Sequence, residues 1–230
     1  MNIFKKTQPK PQDWAFLSVK GEYRFYYALN GGVYERRSYD GAEWTEPVLL
    51  FVRHGISGVQ AVGVRQKIYL LVAAGKKLYL YMPSGGAYVG YPYPVIDRFP
   101  NTSFKAARSD GEYLLFAAKN GEIFKFTSVN CIDWDRETVK AVGFSHLPEG
   151  AVSPMEGYKY ILYSDSASSY IAVTEGGEER RVIAETQIGA AGLKCGMIAG
   201  KHVFYTANGS EPMFIEPESV AFAFESKEKL

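Results

Sequence analysis

Residues 21–40 read GEYRFYYALNGGVYERRSYD, with two runs of aromatic and β-branched residues on either side of an Asn30-Gly31 pair. An Asn-Gly pair between two such runs is the strongest short-range signal for a β-hairpin. From Gly111 the chain reads GEYLLFAAKNGEIFKF, which is nearly the same pattern. The sequence therefore predicts a hairpin unit that is repeated along the chain.

The first strand of this hairpin recurs in five units. Its aligned starts are Tyr23, Ile68, Tyr113, Tyr160 and His202, separated by 45, 45, 47 and 42 residues. Each unit places a strand with small residues before the hairpin, at 14–19, 59–64, 104–109, 151–156 and 193–199. The hairpin turns are predicted at Asn30-Gly31, Gly75-Lys76, Asn120-Gly121, 166–168 and Asn208-Gly209, and a more divergent run closes each unit, as at 46–52 and 219–225.

Four short strands in each unit and a period between 42 and 47 residues are typical of β-propeller blades. We therefore predict an all-β, single-domain, five-bladed β-propeller over residues 1–230, with four antiparallel strands per blade and blades at roughly 12–52, 57–97, 102–143, 150–186 and 191–226. Closing the ring covers the sheet faces that an open array would expose at its ends. A β-sandwich or barrel is the alternative, although it does not require matching units. Residues 2–5 either pair outside the last blade or are loose.

Composition excludes several classes of function. The net charge is +1, and no run of Lys or Arg exceeds two residues, so we expect no nucleic-acid partner. No apolar segment follows the first lysines and no apolar run approaches the length of a membrane span, which predicts a cytoplasmic protein without a membrane partner. Cys131 and Cys195 lack CxxC spacing and a neighbouring His, so we expect buried free thiols, with no metal and no cofactor.

Two units share a further motif at the corner between their third and fourth strands. Residues 38–44 read SYDGAEW and residues 128–134 read SVNCIDW, both fitting S-x-[D/N]-x-x-x-W. The motif resembles a shortened form of the Asp-box turn of sialidase-type propellers. In such a turn the side-chain oxygen accepts bonds from backbone amides while the indole fills the interior of the blade. The resemblance implies a structural role for Asp40, Trp44, Asn130 and Trp134.

The resemblance does not extend to sialidase chemistry. Those enzymes have larger, six-bladed rings with three arginines that hold a carboxylate, and the first strands here contain no matching arginine set. In size and blade count the chain is more similar to small five-bladed lectins of the tachylectin type, but it lacks their repeated Trp-rich motif. The likeness is architectural and covers residues 12–226.

A hydrolase is the main functional alternative. Five-bladed glycosidases place three carboxylates on the innermost strands, because cleavage of a glycosidic bond needs two opposed carboxyl groups. The first strands offer Asp13, Asp110 and Glu156, of which the last two precede glycines and are typical of turns. The Asp and Asn clusters of calcium-dependent five-bladed nucleotidases are absent.

The candidate site lies in loops that precede the first strands. In a propeller these loops and the hairpin turns open onto one face, around the mouth of the central tunnel. Aromatic, cationic and acidic side chains of this kind form contacts with sugars or peptides. The alternative is that Tyr91, Tyr93 and Phe99 fold down and seal a junction between blades. The candidate ligand-binding residues are Arg53, His54, Tyr91, Tyr93, Asp97, Arg98 and His146, whereas 189–192 carry no such groups.

These observations predict a non-catalytic, lectin-like module that binds a carbohydrate or a protein partner at this face. One alternative is a glycoside hydrolase-like enzyme that uses the same mouth. His54 and His146 could meet there as an acid/base pair or as metal ligands, but no third ligand is in view. The other alternative is a structural subunit of a larger bacterial or viral assembly, which predicts a contiguous apolar patch on an outer or lower face. Outside an assembly we expect a monomer.

Overall fold

The computed structural model describes residues 13–100, 104–109, 111–119 and 122–140, and beyond them the backbone of the strands at 153–155, 160–166, 169–174, 179–183, 194–198, 201–208, 211–215 and 223–224. Every element in these ranges is a β-strand. The prediction of an all-β chain is therefore confirmed at the level of fold class.

Three antiparallel sheets of four strands each lie between Asp13 and Lys140, and each sheet follows the order of the chain. The first sheet contains β1 (Asp13–Val19), β2 (Glu22–Leu29), β3 (Gly32–Ser38) and β4 (Val48–Val52). The second contains β5 (Ile56–Val64), β6 (Lys67–Ala74), β7 (Lys77–Ser84) and β8 (Ala87–Gly90). The third contains β9 (Phe104–Ser109), β10 (Glu112–Lys119), β11 (Glu122–Ser128) and β12 (Asp135–Lys140).

Two further sheets follow, and one predicted strand lies in a different sheet from the one expected. The fourth sheet contains β13 (Ser153–Met155), β14 (Tyr160–Ser166), β15 (Ser169–Thr174) and β16 (Glu179–Ile183), and the fifth contains β17 (Lys194–Ile198), β18 (Lys201–Asn208) and β19 (Glu211–Ile215). The run 219–225 was expected to close the fifth unit. Its described part, β20 (Ala223–Phe224), instead pairs with Val182 and Ile183 of β16. An outer strand leaves backbone groups unpaired, so β16 can accept this strand at its free edge.

The predicted hairpin turns have the expected backbone. Asn30 and Gly31 have φ of 51° and 77°, and Gly75 and Lys76 have φ of 56° and 65°. Two successive left-handed residues form the type I′ turn, whose twist matches that of the flanking strands. Asn120-Gly121 and Gly209 lie outside the described residues, as do residues 167–168 of the fourth turn.

The second sheet is buried on both faces, which explains its nearly continuous apolar strand β6. Leu71 and Ala73 pack into a cluster shared with the third sheet, including Leu115 and Phe126. Leu70 packs on the other side, among residues of the first sheet. A sheet between two neighbours needs apolar residues at successive positions instead of the alternation of a half-exposed sheet.

The first strands of successive sheets lie against one another. β1 contacts β5, β5 contacts β9, β9 contacts β13, β13 contacts β17, and β17 contacts β1. The start of β1 lies beside β5, where Asp13 Oδ2 accepts a hydrogen bond from the Val59 N–H at 2.9 Å. The start of β9 is equally close, since a Cβ placed on Gly58 would lie 2.8 Å from the Phe104 ring. The first strands are therefore crowded at Gly58, whereas a Cβ placed on Gly63 would have no atom within 4 Å.

The antiparallel order gives the sheets two ends, which we name by their connections. The loop face carries the Asn30-Gly31 and Gly75-Lys76 turns and the connection 53–55. We include in it residues 91–100, which run along the outer edge of β7 towards the Gly75-Lys76 turn. The corner face carries the connections 39–47 and 129–134 at the other ends of β3 and β11. A seven-residue strand such as β3 separates its two ends by about 20 Å.

The two S-x-[D/N]-x-x-x-W corners share one hydrogen-bond pattern. Asp40 Oδ1 accepts bonds from the Ala42 and Glu43 N–H groups, each at 2.9 Å, which together with the Ser38 hydroxyl lower the pKa of Asp40. Asn130 Oδ1 accepts the equivalent bonds from Ile132 at 2.8 Å and Asp133 at 2.9 Å. The indoles of Trp44 and Trp134 donate to the carbonyls of Gly41 and Cys131, at 3.2 and 3.1 Å.

Cys131 is fully buried in the second of these corners, as the sequence predicts, and burial raises its pKa to about 12. In a Cys195→Ser variant we expect Cys131 of the folded protein to react with a disulfide reagent about a thousandfold more slowly at pH 8 than in denaturant, because each pKa unit costs a factor of ten in thiolate. The unfolded thiol loses its proton first, so stability should fall as pH rises from 9 toward 12. Equal rates in the two states would contradict this placement.

Candidate functional site

Arg53 begins the connection from the first to the second sheet, and its backbone is tied to the loop face. The Arg53 N–H donates to the Gly31 carbonyl at 2.8 Å, which holds this connection against the β2–β3 turn. Arg53 is half-buried, and His54 after it is exposed. These two predicted site residues therefore lie side by side at the loop face.

The side chain of Arg53 is held by two tyrosines of the second sheet, one of which stacks on the first sheet. Its Nε donates to the Tyr81 hydroxyl at 2.7 Å, and its Cζ lies 3.4 Å from the centre of the Tyr79 ring. The Tyr81 ring stacks on Phe51 of β4, with 3.8 Å between centroids and 4° between planes. Stacking and a directional hydrogen bond together fix the plane of the guanidinium. We call Arg53, Tyr79, Tyr81 and Phe51 the Arg53 clamp.

Residues 91–99 run back along β7 and cover part of its edge. The Tyr91 N–H donates to the Leu80 carbonyl at 2.7 Å, and the Val95 N–H donates to the Leu78 carbonyl at 2.8 Å. The Phe99 N–H donates to the Lys76 carbonyl at 2.9 Å, which ties the segment to the β6–β7 turn. The backbone of this segment is therefore ordered by pairing, although it contains no strand longer than an isolated bridge at Ile96.

The structure separates the predicted residues of this segment into two groups. Phe99 is buried and packs edge-on against Phe104 with 5.1 Å between centroids, and Tyr91 is half-buried against the same core, so these two rings seal the junction between sheets. Tyr93 remains 71% exposed. Arg98 is exposed, and exposed Asp97 pairs with Lys77 at 3.3 Å.

Other sequence candidates fall outside the described residues. These are His146, Asp110, Glu156 and the connection 189–192. Within the described ranges, no group of three or more His, Cys, Asp and Glu side chains is placed to hold a metal ion. The same ranges contain no helix of the length and hydropathy needed to cross a membrane.

Sequence reasoning missed Tyr79 and Tyr81, which hold Arg53. The signal was the alternation KLYLY at the start of β7, because residues two apart on a strand share a face. Leu78 and Leu80 accordingly face the third sheet, while the two tyrosines face the first. Phe51 was missed as well, and its role depends on how the two sheets pack.

Asp13 is the one Asp or Glu residue in the described first strands β1, β5, β9, β13 and β17. Its side chain is buried, and one oxygen already accepts a hydrogen bond from Val59. Among the residues of β5 and β9 whose side chains are described, the buried polar ones are Gln60 and Lys105. The described first strands therefore present no opposed pair of carboxyl groups of the kind that glycoside cleavage requires.

Comparison with known proteins gives likeness in structure only. No family model and no curated sequence relative matches the chain. The endo-arabinase of Bacteroides thetaiotaomicron matches with a TM-score of 0.58 and 9% identity, over 98% of this chain and 100% of that one. A thermostable family-43 glycoside hydrolase matches with a TM-score of 0.55 and 16% identity, over 97% and 95%.

A lectin from Aleuria aurantia, solved in complex with Fucα1-6GlcNAc, matches more loosely. Its TM-score is 0.44 at 13% identity, and the match covers 76% of this chain and 59% of the lectin. This chain thus spans less than two thirds of the lectin's length, and a likeness this loose does not bear on the fold. The two closer likenesses, at such low identities, establish architecture and not activity. The chain has a propeller-type arrangement of antiparallel sheets.

Proposed function

We propose that this protein is a non-catalytic module that binds a carbohydrate across the loop face. The observation that carries the proposal is Tyr93, a large aromatic ring that is 71% exposed on a segment whose backbone is fixed against β7. An ordered, exposed ring of this kind offers a flat apolar face for a sugar and loses little conformational entropy on binding. Arg53 and His54 add hydrogen-bond donors to the same face.

The proposal includes a closed ring of five blades. Its support is the cyclic set of contacts between first strands, from β1 through β5, β9, β13 and β17 back to β1. In such a ring the connections before the first strands gather around one opening, which brings loops from different sheets together. Asp-box-like corners at Asp40 and Asn130 then lie on the opposite side, where they act as structural turns.

Carbohydrate is favoured over a protein partner by the structural likenesses. One matched structure is described as an endo-arabinase and another as a family-43 glycoside hydrolase. Lectins and hydrolases of sugars share propeller-type folds, so this architecture is compatible with a sugar ligand. The identity of the sugar does not follow from that likeness.

Glycan binding by Tyr93→Ala and Tyr39→Ala variants tests this proposal. Tyr39 is the matched control, since it is 79% exposed but lies on the corner face. For any sugar found on a glycan array, we expect Tyr93→Ala to weaken binding about tenfold or more and Tyr39→Ala to leave it unchanged. Silence of the whole array, or equal loss in both variants, would contradict the proposal.

A glycoside hydrolase is a second candidate, favoured by the buried Asp13 at the start of β1. A binding module should release no reducing sugar from any glycan that it retains, whereas a hydrolase would. Activity that is lost in a folded Asp13→Asn variant would replace the binding proposal with a catalytic one. We expect none, because Gln60 and Lys105 occupy the described inner strands where a second acid would be needed.

A role in a larger assembly is favoured by one observation on the outer strand β4. Val48, Leu49 and Val52 are 55%, 50% and 70% exposed there, on the strand that ends the first sheet. Exposed apolar side chains on an edge strand are typical of surfaces that pair or aggregate. Sedimentation of the purified chain tests assembly from copies of this chain. An oligomer at micromolar concentration would support it, whereas a monomer would show that the β4 surface is stable without a second copy.

A further inference from the structure

We propose that the Arg53 clamp binds the carboxylate of an acidic sugar, so that the preferred ligands of this protein are glycans containing uronic acids. The inference rests on the proposed function, because it specifies the class of carbohydrate bound at the loop face. It concerns the part of that face formed by Arg53, Tyr79, Tyr81 and Phe51.

The first step is that the guanidinium is in place before a ligand arrives. Tyr79 lies against its flat side at 3.4 Å, and Tyr81 accepts its Nε–H at 2.7 Å. Tyr81 is in turn fixed by Phe51, and the Arg53 backbone is fixed by Gly31. A residue held in this way loses little rotamer entropy on binding, so more of each hydrogen bond appears as affinity.

The second step is that Arg53 has no acidic partner among the residues that the structure describes. The described ion pairs use other cations, such as Arg24 and Arg37 at Glu35 and Lys77 at Asp97. A half-buried guanidinium has lost part of its hydration without the compensation of a carboxylate. An anionic ligand would supply that compensation.

The third step concerns which anion fits. With Nε committed to Tyr81, the donors that remain are those on Nη1 and Nη2, which form the end of the guanidinium. Two parallel N–H groups match the two oxygens of a planar carboxylate, which is the bidentate geometry that makes arginine selective. A neutral hydroxyl can use only one of these donors at a time.

The described charges of the loop face have the sign that this ligand needs. Lys76 and Arg98 are exposed at the same face, and the nearby carboxylate of Asp97 is paired with Lys77. The face is therefore locally basic in a chain whose net charge is only +1. Such a field raises the association rate of acidic oligosaccharides and weakens with salt.

Calorimetric titration with three matched ligands tests the inference. These are galacturonic acid oligosaccharides, the same oligosaccharides with their carboxyl groups reduced to alcohols, and a sulfated galactan fragment of equal length. We expect the uronates to bind about 10- to 100-fold more tightly than the reduced forms, the ratio given by one charge-assisted bidentate contact. We expect the sulfated fragment to bind more weakly than the uronates, since the oxygens of a sulfate ester are less basic than those of a carboxylate and accept weaker hydrogen bonds.

Variants assign the effect to the clamp. Arg53→Met should remove the preference for uronates, and Arg53→Lys should restore only part of it, because lysine lacks the planar pair of donors. Tyr81→Phe keeps the ring against Phe51 and removes only the hydroxyl that orients Arg53, so it should weaken uronate binding several-fold. This variant tests the clamp independently, should Arg53→Met fail to fold. Arg136→Met is the matched control, since Arg136 is an exposed arginine stacked 4.7 Å from the Phe124 ring outside the clamp.

The outcomes separate this inference from the proposed function. Equal binding of acidic and reduced oligosaccharides, with no effect of Arg53→Met, would overturn the inference and leave carbohydrate binding intact. Tighter binding of the sulfated fragment than of the uronates would overturn the assignment of a carboxylate. If the glycan array is silent for neutral, uronic and sulfated sugars alike, the proposed function fails together with this inference.

Discussion

Replacing Phe104 with alanine is expected to lower the free energy of unfolding by about 3–5 kcal/mol, the range for a fully buried phenylalanine. Phe104 is completely buried, packs edge-on against Phe99 at 5.1 Å between centroids and occupies the space beside Gly58 of β5. It therefore joins the second sheet to the third at their first strands. Chemical denaturation followed by tryptophan fluorescence measures the change.

The exposed Val129 on the corner face provides the control for this prediction. Val129→Ala should change stability by less than about 0.5 kcal/mol, because its side chain is 71% exposed. Gly58→Ala tests the contact from the other side, since its new methyl group would meet the Phe104 ring at 2.8 Å and should cost about 1–3 kcal/mol. That cost should shrink when Phe104 is alanine. Additive costs, or a loss below about 1 kcal/mol for Phe104→Ala, would contradict the packing of these strands.

Replacing both Arg24 and Arg37 with methionine is expected to destabilise the protein by about 3–5 kcal/mol, the cost of leaving a charge buried without a partner. Glu35 is 2% exposed on its side chain, and its two oxygens pair with Arg24 at 3.3 Å and Arg37 at 2.7 Å. The arginines themselves keep 26% and 46% of their side chains exposed. Glu22, which also pairs with Arg24 at 2.6 Å, keeps 14% exposed, so the cost arises mainly from Glu35 and in smaller part from Glu22. Denaturant unfolding at pH 7 and low salt measures it.

A triple variant that also carries Glu35→Met is the decisive control for the second prediction. It removes the more buried of the two carboxylates that lose an arginine and should recover more than half of the lost stability, because apolar replacements of a buried ion pair are often neutral or stabilising. The single Glu35→Met variant should cost less than the double arginine variant. If the triple variant is no more stable than the double variant, the network does not stabilise the fold through Glu35.

Much of the fold could be predicted from the sequence because its signals are local. The Asn30-Gly31 pair favours a left-handed backbone at two successive residues, which is the type I′ turn. This turn places the aromatic runs on either side so that they pair as one short hairpin. The first strand predicted at 104–109 coincides with β9, because it directly precedes the copy of the hairpin pattern that begins at Gly111. The position of Ala223–Phe224 could not be predicted, since the outer edges of both β16 and β19 offer unpaired backbone groups to a short strand.

The candidate site was less predictable because it depends on packing between sheets. Tyr93 and Phe99 occur in one aromatic, proline-rich connection, yet one is exposed and the other buried. The difference comes from backbone pairing of this connection with Leu78 and Leu80 of β7, which no local pattern encodes. The clamp around Arg53 likewise joins β4 of one sheet to β7 of the next.

Hydroxyl-radical footprinting with and without a bound oligosaccharide tests the central claim most directly, because it reports the exposure of individual tyrosines on both faces. We predict that saturating ligand reduces oxidation of Tyr93 on the loop face and leaves oxidation of Tyr39 on the corner face unchanged. Protection of Tyr39 with continued oxidation of Tyr93 would contradict binding at the loop face.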